Sequence, residues 1–375
     1  MPPSYVPRLA RVPSVARIPS LDGLRALSIS FVLLGHLAFT PGFPIARSWW
    51  TAAYAHYGVR IFFVISGYLI TTLLVREREK TGAIDLKQFY IRRAYRILPA
   101  AYFYLIVVTL VFHASLPFKY LVAAYTYLTS YAVNSPWVLR HLWSLSVEEQ
   151  FYFAWPVAMG VGVLLAPRLA FGAIAFGPIV RFLLVKIGPP LGAPSVVDSI
   201  FPCNIDSLAA GCLLALYQTR FARYRAFFVW KGFPLIWIFT LSIPILHHYH
   251  YVLNFWHVAG LVQVFALSVF NLGIVLCIQN AITVRPRLLN TAVLVWVGNL
   301  SYSLYLWNMP FTNPGIKSWV TAFPQNLVFT VLAATVSFYA VEQPIRKLRE
   351  RRAKRVVSPQ CQPAPAVAEE LVEAR

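Results

Sequence analysis

Ten apolar runs of roughly membrane-spanning length recur along the chain, at 21–40, 57–75, 97–115, 148–166, 169–187, 204–219, 233–248, 258–279, 291–311 and 324–342. A helix of about 20 such residues crosses a hydrocarbon core of about 30 Å. In lipid every backbone amide must be satisfied within the protein, which leaves the helix as the solution for runs this long. The expected fold is therefore all-α, a polytopic membrane helix bundle of about ten transmembrane helices. Composition agrees: 12% of residues are charged and 58% hydrophobic, where soluble domains are about one quarter charged. The 20 Tyr and 11 Trp suit side chains parked at two bilayer interfaces. A further stretch, 118–134 ("FKYLVAAYTYLTSYAVN"), is short and Tyr-rich and reads as interfacial or re-entrant.

The formal charge of +20 comes with a pattern. Of 33 Lys and Arg, 24 fall in the segments that alternate onto one side when the N-terminus is inside, led by 76–96 and 346–355. The positive-inside rule then makes both termini cytoplasmic, and an eleventh span at 118–134 would spoil the alternation. Charge placed between apolar runs orients the protein and meets anionic lipid or an anionic soluble ligand rather than nucleic acid. Residues 1–18 read as a cytoplasmic basic arm without the apolar core of a cleavable signal, residues 19–345 as the membrane domain, and residues 346–375 as a basic stretch followed by a disordered cytoplasmic tail. Cys203, Cys212, Cys277 and Cys361 are scattered without metal spacing. "LHHYHY" at 246–251 reads as an outer interfacial loop, so no metal is expected.

The first run, "SLDGLRALSISFVLLGHLAF", keeps Asp22, Arg25 and His36, although a charged group near a bilayer centre costs roughly 2.5 kcal/mol or more. Arg25 and His36 are eleven residues apart, so on a helix they share one face about 16 Å apart. Asp22 lies one turn before Arg25 and can pair with it. One polar stripe results, running from the inner surface to a deep histidine. A snorkelling arginine and a backbone-bonded histidine give the bland reading; intramembrane ionisable groups give the functional one.

Other polar groups share this ambiguity. In "LWSLSVEEQFYFAWP", Glu148 and Glu149 follow Trp143 and Ser146; Ser146 can cap a helix whose dipole welcomes the acids, or one acid can face a cavity. Asp206 in "CNIDSLAAGCLLAL" also stands where an N-cap would. Ser301, Tyr302, Tyr305 and Asn308, in "VGNLSYSLYLWNMPF", suit either helix-to-helix hydrogen bonds or a cavity wall, and Ser66 sits in "GVRIFFVISGYLIT". Arg92, Arg93 and Arg96 precede the third run, as inner anchors or as a phosphate clamp: Arg93 and Arg96 are one turn apart, and guanidinium forks fit phosphate oxygens.

The stretches "SLDGLRALSISFVLLGHL", "GVRIFFVISGYLIT", "FYIRRAYRILPA", "LWSLSVEEQFYFAWP", "GNLSYSLYLWNMP" and "VEQP", in this order, resemble the integral-membrane acyltransferase-3 family over residues 19 to about 346. The resemblance implies transfer of an acyl group, often acetyl, from acyl-CoA to a hydroxyl of a carbohydrate or other secondary product, in the bacterial inner membrane. It implies that His36 and Arg25 are the essential pair, that Arg93 and Arg96 help hold the donor, and that Glu148 belongs to the active cavity. Three features depart from the family pattern: Asn308 stands where many members have histidine, Asn204 where an arginine often precedes the aspartate, and the fused soluble domain of some members is missing, as in the stand-alone form.

Together these readings predict that acyl-CoA docks from the cytoplasm at the 76–96 basic segment and extends along the Arg25 face toward His36. With a carboxylate such as Glu148 tuning it, His36 would deprotonate the acceptor hydroxyl, or carry the acyl group itself. The rival reading is a transporter or flippase for a polysaccharide precursor, with the buried histidine and acids relaying protons; paired halves or matching broken helices would favour it.

Overall fold

The computed structural model describes residues 18–44, 49–162, 164–188, 194–252 and 259–357. Most of the basic arm (1–17) and the tail beyond 357 lie outside the described residues. Each of the ten predicted runs coincides with a helix: α1 (Pro19–Leu37), α2 (Trp49–Thr81), α3 (Leu86–Phe112), α4 (Leu142–Val161), α5 (Ala166–Ile187), α6 (Phe201–Leu216), α7 (Phe233–Val252), α8 (Ala259–Val284), α9 (Ala292–Phe311) and α10 (Gln325–Ser337). A π-turn, Phe338–Glu342, joins α10 to a final basic helix, α11 (Gln343–Val357). No strand occurs among the described residues. Six segments are long and apolar enough to cross a membrane: Pro19–Leu37, Tyr54–Thr81, Leu86–Ser115, Ala166–Ile187, Phe265–Val284 and Gln325–Arg349. The chain is a multi-pass integral membrane protein.

The boundaries differ from expectation where polar residues are involved. Helix α4 begins at Leu142 rather than near 148, because Ser146 is not a cap. Its hydroxyl donates to the Leu142 carbonyl at 3.0 Å and accepts from the Thr129 amide at 3.1 Å, so it is satisfied inside the helix. Asp206 is likewise no cap, since α6 starts at Phe201 with a proline in its first turn. Helices α2 and α3 overrun their apolar runs into a basic hairpin that Asp85 starts by capping the Gln88 amide at 2.9 Å. The "LHHYHY" backbone is helical within α7 rather than a loop. The 118–134 stretch forms a short helix (Phe118–Tyr125) and a 3-10 turn (Thr129–Tyr131), too short to span.

Contacts fix the helix directions. Gly58 meets Ser28 while Tyr54 meets Phe31, so α1 and α2 run antiparallel. Gly298 packs on Asp22 while Asn308 reaches His36, so α1 and α9 run parallel. Phe311 stacks near Phe329 while Ser303 bonds Glu342, so α9 and α10 run antiparallel. Helix α10 therefore ends at the end of the bundle where α1 begins. Helix α2 lies centrally, with 72% of its spanning window buried, whereas α5 has 22% and turns Leu169, Phe171, Phe176, Ile179 and Leu183 outward as a lipid-facing surface.

Two features lock these helices. Glycines allow backbone contact without intervening side chains: a Cβ on Gly298 would lie 1.9 Å from the Asp22 carbonyl oxygen, one on Gly67 2.0 Å from that of Leu208, and one on Gly211 2.0 Å from that of Val64. The second is a buried ion cluster. Arg181 bonds both Asp206 carboxylate oxygens, at 2.7 and 3.0 Å, while Arg60 lies 3.5 Å from the same carboxylate and donates to Ser207 at 2.8 Å. Asn271 adds a bond at 3.1 Å, so one carboxylate ties α2, α5, α6 and α8 together. Removing one member of such a group leaves buried charge uncompensated. Asp206→Asn should lower stability by about 3–5 kcal/mol, and Gly298→Leu by about 1–3 kcal/mol or more through overpacking. The thermal midpoint of the detergent-solubilised protein measures both; an unchanged midpoint for either variant would refute the corresponding lock.

Candidate active site

The polar stripe of α1 is present and its two ends meet different partners. At the N-terminal end of α1, Arg25 pairs with Asp22 at 3.6 Å. Arg25 also lies within electrostatic reach of Tyr152, Arg93 and Glu148, and Arg96 within reach of Arg25, Arg93, Glu148 and Tyr152. Helices α1, α3 and α4 thus bring Arg25, Arg93, Arg96 and Glu148 into one layer. Arg93 lays its guanidinium over the Tyr152 ring, 3.5 Å from the centroid, whereas Arg96 is exposed. Arg92 diverges from them and pairs with Glu77 at 2.8 Å, bracing the hairpin.

At the C-terminal end of α1, His36 Nδ1 lies 2.6 Å from Asn308 Oδ1. The amide orientation is determined by its other bonds: Asn308 Nδ2 donates to the carbonyls of Tyr305, at 2.6 Å, and Leu304, at 3.2 Å. Carbonyls only accept, so Oδ1 must face the ring, and His36 Nδ1 must carry the proton that Oδ1 accepts. Nε2 is then the unprotonated nitrogen, and it makes no hydrogen bond to any described residue. Asn308, where a histidine is common in the resembling family, therefore sets the tautomer.

Glu148 does not meet His36. Its carboxylate accepts from Ser66 at 2.7 Å and faces the arginine layer, because α4 runs from Leu142 toward the Arg25 end and carries residue 148 past the level of the imidazole. Glu149 points elsewhere, as consecutive helical residues must; one of its oxygens is buried without a hydrogen-bond partner, near Tyr127 and Arg93. Tyr305 donates to the His141 carbonyl at 2.6 Å and lies 2.6 Å from the Ser144 hydroxyl, linking α9 to α4. Tyr302 donates to the Ile97 carbonyl at 3.0 Å and Ser301 is buried in the same helix. Trp143 stacks on His56, with centroids 5.9 Å apart. Asp206 belongs to the separate ion cluster with Arg60 and Arg181, not to the His36 site.

Four further residues join the site. Trp137 packs edge-on against His36 with centroids 6.0 Å apart, and Arg140 sits over Trp137 at 5.5 Å. Tyr152 carries Arg93. Glu342, the acid of "VEQP", accepts from Ser303 and lies near Arg96. An acid ending an apolar run was the available clue for Glu342; the π-turn that aims it was not visible in the pattern. No cluster of metal-ligating side chains occurs among the described residues.

The fold and this site define a multi-pass membrane protein with a histidine and an arginine layer on one interior helix face. Residues 18–342 match the family of the acyltransferase domain, acyltransferase-3, and the chain belongs to that family. It is 30% identical over 366 residues to peptidoglycan O-acetyltransferase OatA of Listeria monocytogenes, covering 87% of this chain and 55% of the relative. It is 29% identical to O-acetyltransferase OatA of Staphylococcus aureus, covering 91% of this chain and 59% of the relative. The chain thus spans little more than half the length of these relatives. No solved structure matches it.

The tautomer is directly measurable. In 15N spectra of histidine-labelled protein, His36 Nδ1 should appear protonated and Nε2 bare. Asn308→Leu should mix the two tautomers, so that Nδ1 and Nε2 each appear partly protonated. A wild-type spectrum with Nε2 protonated would refute the assignment.

Proposed function

We propose that this protein is a membrane O-acyltransferase that moves an acyl group, acetyl in the simplest case, from acyl-CoA to a hydroxyl of a carbohydrate. The observation that carries the reading is the single interior face of α1, with the arginine layer around Arg25 at one end and the free Nε2 of His36 about 16 Å along. The relatives are named as O-acetyltransferases, one of them of peptidoglycan, which favours acetyl and a glycan acceptor. All ten long helices are read as spans, six of which meet the length and composition of one outright. Helices α1 and α10 share an end with most of the Lys and Arg, so the positive-inside rule makes that end cytoplasmic, in a bacterial inner membrane.

The donor enters from that end. Its phosphates meet the 76–96 hairpin and chiefly Arg96, the arginine of the layer left exposed; Arg93, lying on Tyr152, offers its edge. Residues Glu148 and Glu342 hold the arginines in place instead of adjusting His36. The slender arm of the donor passes Arg25 and brings the thioester to Nε2. His36 takes the acceptor's hydroxyl proton as that oxygen bonds to the thioester carbonyl carbon. The carbon–sulfur bond then breaks, and the proton passes from Nε2 to the leaving thiolate. Arg25, held by Asp22, positions the donor along the stripe.

His36→Ala should leave folded protein in the membrane and lower transfer of labelled acetyl from acetyl-CoA by about 10²–10⁴, the span of general-base contributions. Arg96→Gln should raise the KM for acetyl-CoA with little change in kcat. Full transfer by His36→Ala would sink the proposal. Transfer by purified protein without any ion gradient separates it from the transporter reading.

A further inference from the structure

We infer that the acceptor carries a negative charge, a carboxylate or phosphate close to the reacting hydroxyl, and that Arg140 recognises it; the inference rests on the acyl-transfer reading above. Arg140 ends the short helix Trp137–Arg140, which lies across the outer end of the α1 stripe. Its guanidinium sits over the Trp137 ring at 5.5 Å, and the same ring meets the His36 imidazole edge-on at 6.0 Å and Phe39 at 5.8 Å. The guanidinium and the imidazole therefore contact one and the same indole. The side chain is exposed, and its sole hydrogen bond to the described residues runs from Nε to the Ser135 carbonyl at 3.4 Å. Both terminal nitrogens, the two that form a fork for carboxylate or phosphate, remain available. Unlike Arg25, Arg60, Arg92 and Arg181, this arginine has no carboxylate beside it among the described residues.

The surroundings agree. Besides the closed cluster of Arg60, Arg181 and Asp206, the described charged residues toward this end of the bundle are Lys119, Arg140, Lys186 and Lys317, against Asp198, which lies 3.8 Å from His56. The outer mouth is cationic where the positive-inside rule would leave it neutral, so orientation in the membrane does not account for Arg140. A guanidinium this close to the base concentrates anionic acceptors and repels cationic ones. The donor cannot be the reason for Arg140, because the phosphates of acyl-CoA are met at the opposite end of the stripe.

The test compares acceptors that differ in charge alone. Purified full-length protein in nanodiscs is given labelled acetyl-CoA with methyl glucuronide, glucose 1-phosphate or neutral methyl glucoside, and kcat/KM is read for each. The wild type should favour at least one charged acceptor over the glucoside by about tenfold, the ratio shrinking as salt is added. The better charged acceptor distinguishes carboxylate from phosphate. Arg140→Gln should bring the ratio to about one, and Arg140→Lys should restore part of it. A ratio between acceptors is unaffected by the amount of folded protein, so a damaged fold does not imitate the result. Equal use of charged and neutral acceptors by the wild type, or an undiminished preference in Arg140→Gln, overturns the inference while leaving acyl transfer standing. Transfer to none of the three, with acetyl-CoA untouched, overturns both.

Discussion

The backbone contact between α1 and α9 is the constraint on which the site depends. At Gly298 the two helices approach so closely that a single added methyl group would collide with the Asp22 carbonyl. With the helices pinned and parallel at that point, residues ten or more positions further along are held in register. That register brings Asn308 Oδ1 to 2.6 Å from His36 Nδ1. Two further side chains on the same stretch of α9, Tyr302 and Tyr305, anchor it to α3 and to the start of α4. In lipid there is little hydrophobic gain in bringing helices together, so close contact and interhelical hydrogen bonds must supply the specificity. The α1–α9 pair uses both.

Burying charge in such a bundle is tolerable only if partners are built in, and the protein does so in two separate places. The Arg60, Arg181 and Asp206 cluster is closed: two guanidiniums share one carboxylate, all three are almost fully buried, and amide and hydroxyl side chains fill the remaining positions. Its geometry suits holding four helices together. The layer of Arg25, Arg93 and Arg96 is open. Its arginines are spaced by Tyr152, Glu148 and Glu342 rather than locked in forks, and Arg96 reaches solvent. The same residue types thus build a closed clamp in one place and an open layer in the other, and the difference lies in how many donors each carboxylate satisfies.

Much of this was readable beforehand. Helix positions followed from apolar length, and the Arg25 to His36 stripe from a periodicity of 3.6, because both depend on neighbours along one helix. Capping stayed open at Ser146 and Asp206, since a polar residue near the start of an apolar run looks the same whether it ends a helix or turns inward to a partner far away in sequence. The partner of His36 was misjudged for a related reason: Glu148 and Asn308 both stand in apolar runs, and only the depth at which α4 and α9 pass α1 decides which one arrives. Trp137 and Arg140 come from a four-residue helix with no periodic signature at all. Their proximity to His36 is purely tertiary.

The choice of asparagine at 308 has a chemical consequence. A carboxylate beside His36 Nδ1 would fix the same tautomer, but in a low-dielectric interior it would also favour a protonated ring, and a protonated ring cannot accept the hydroxyl proton. A neutral amide avoids this, provided it cannot flip. The two carbonyls that receive Asn308 Nδ2 prevent the flip, because turning the amide over would set oxygen against oxygen twice. Orientation is thereby separated from charge: Asn308 aims the imidazole, and the charged groups of the site are kept elsewhere, the arginine layer about three helical turns away and Arg140 over the indole of Trp137. The neutral imidazole and the charged groups thus stand at successive levels beside one helix.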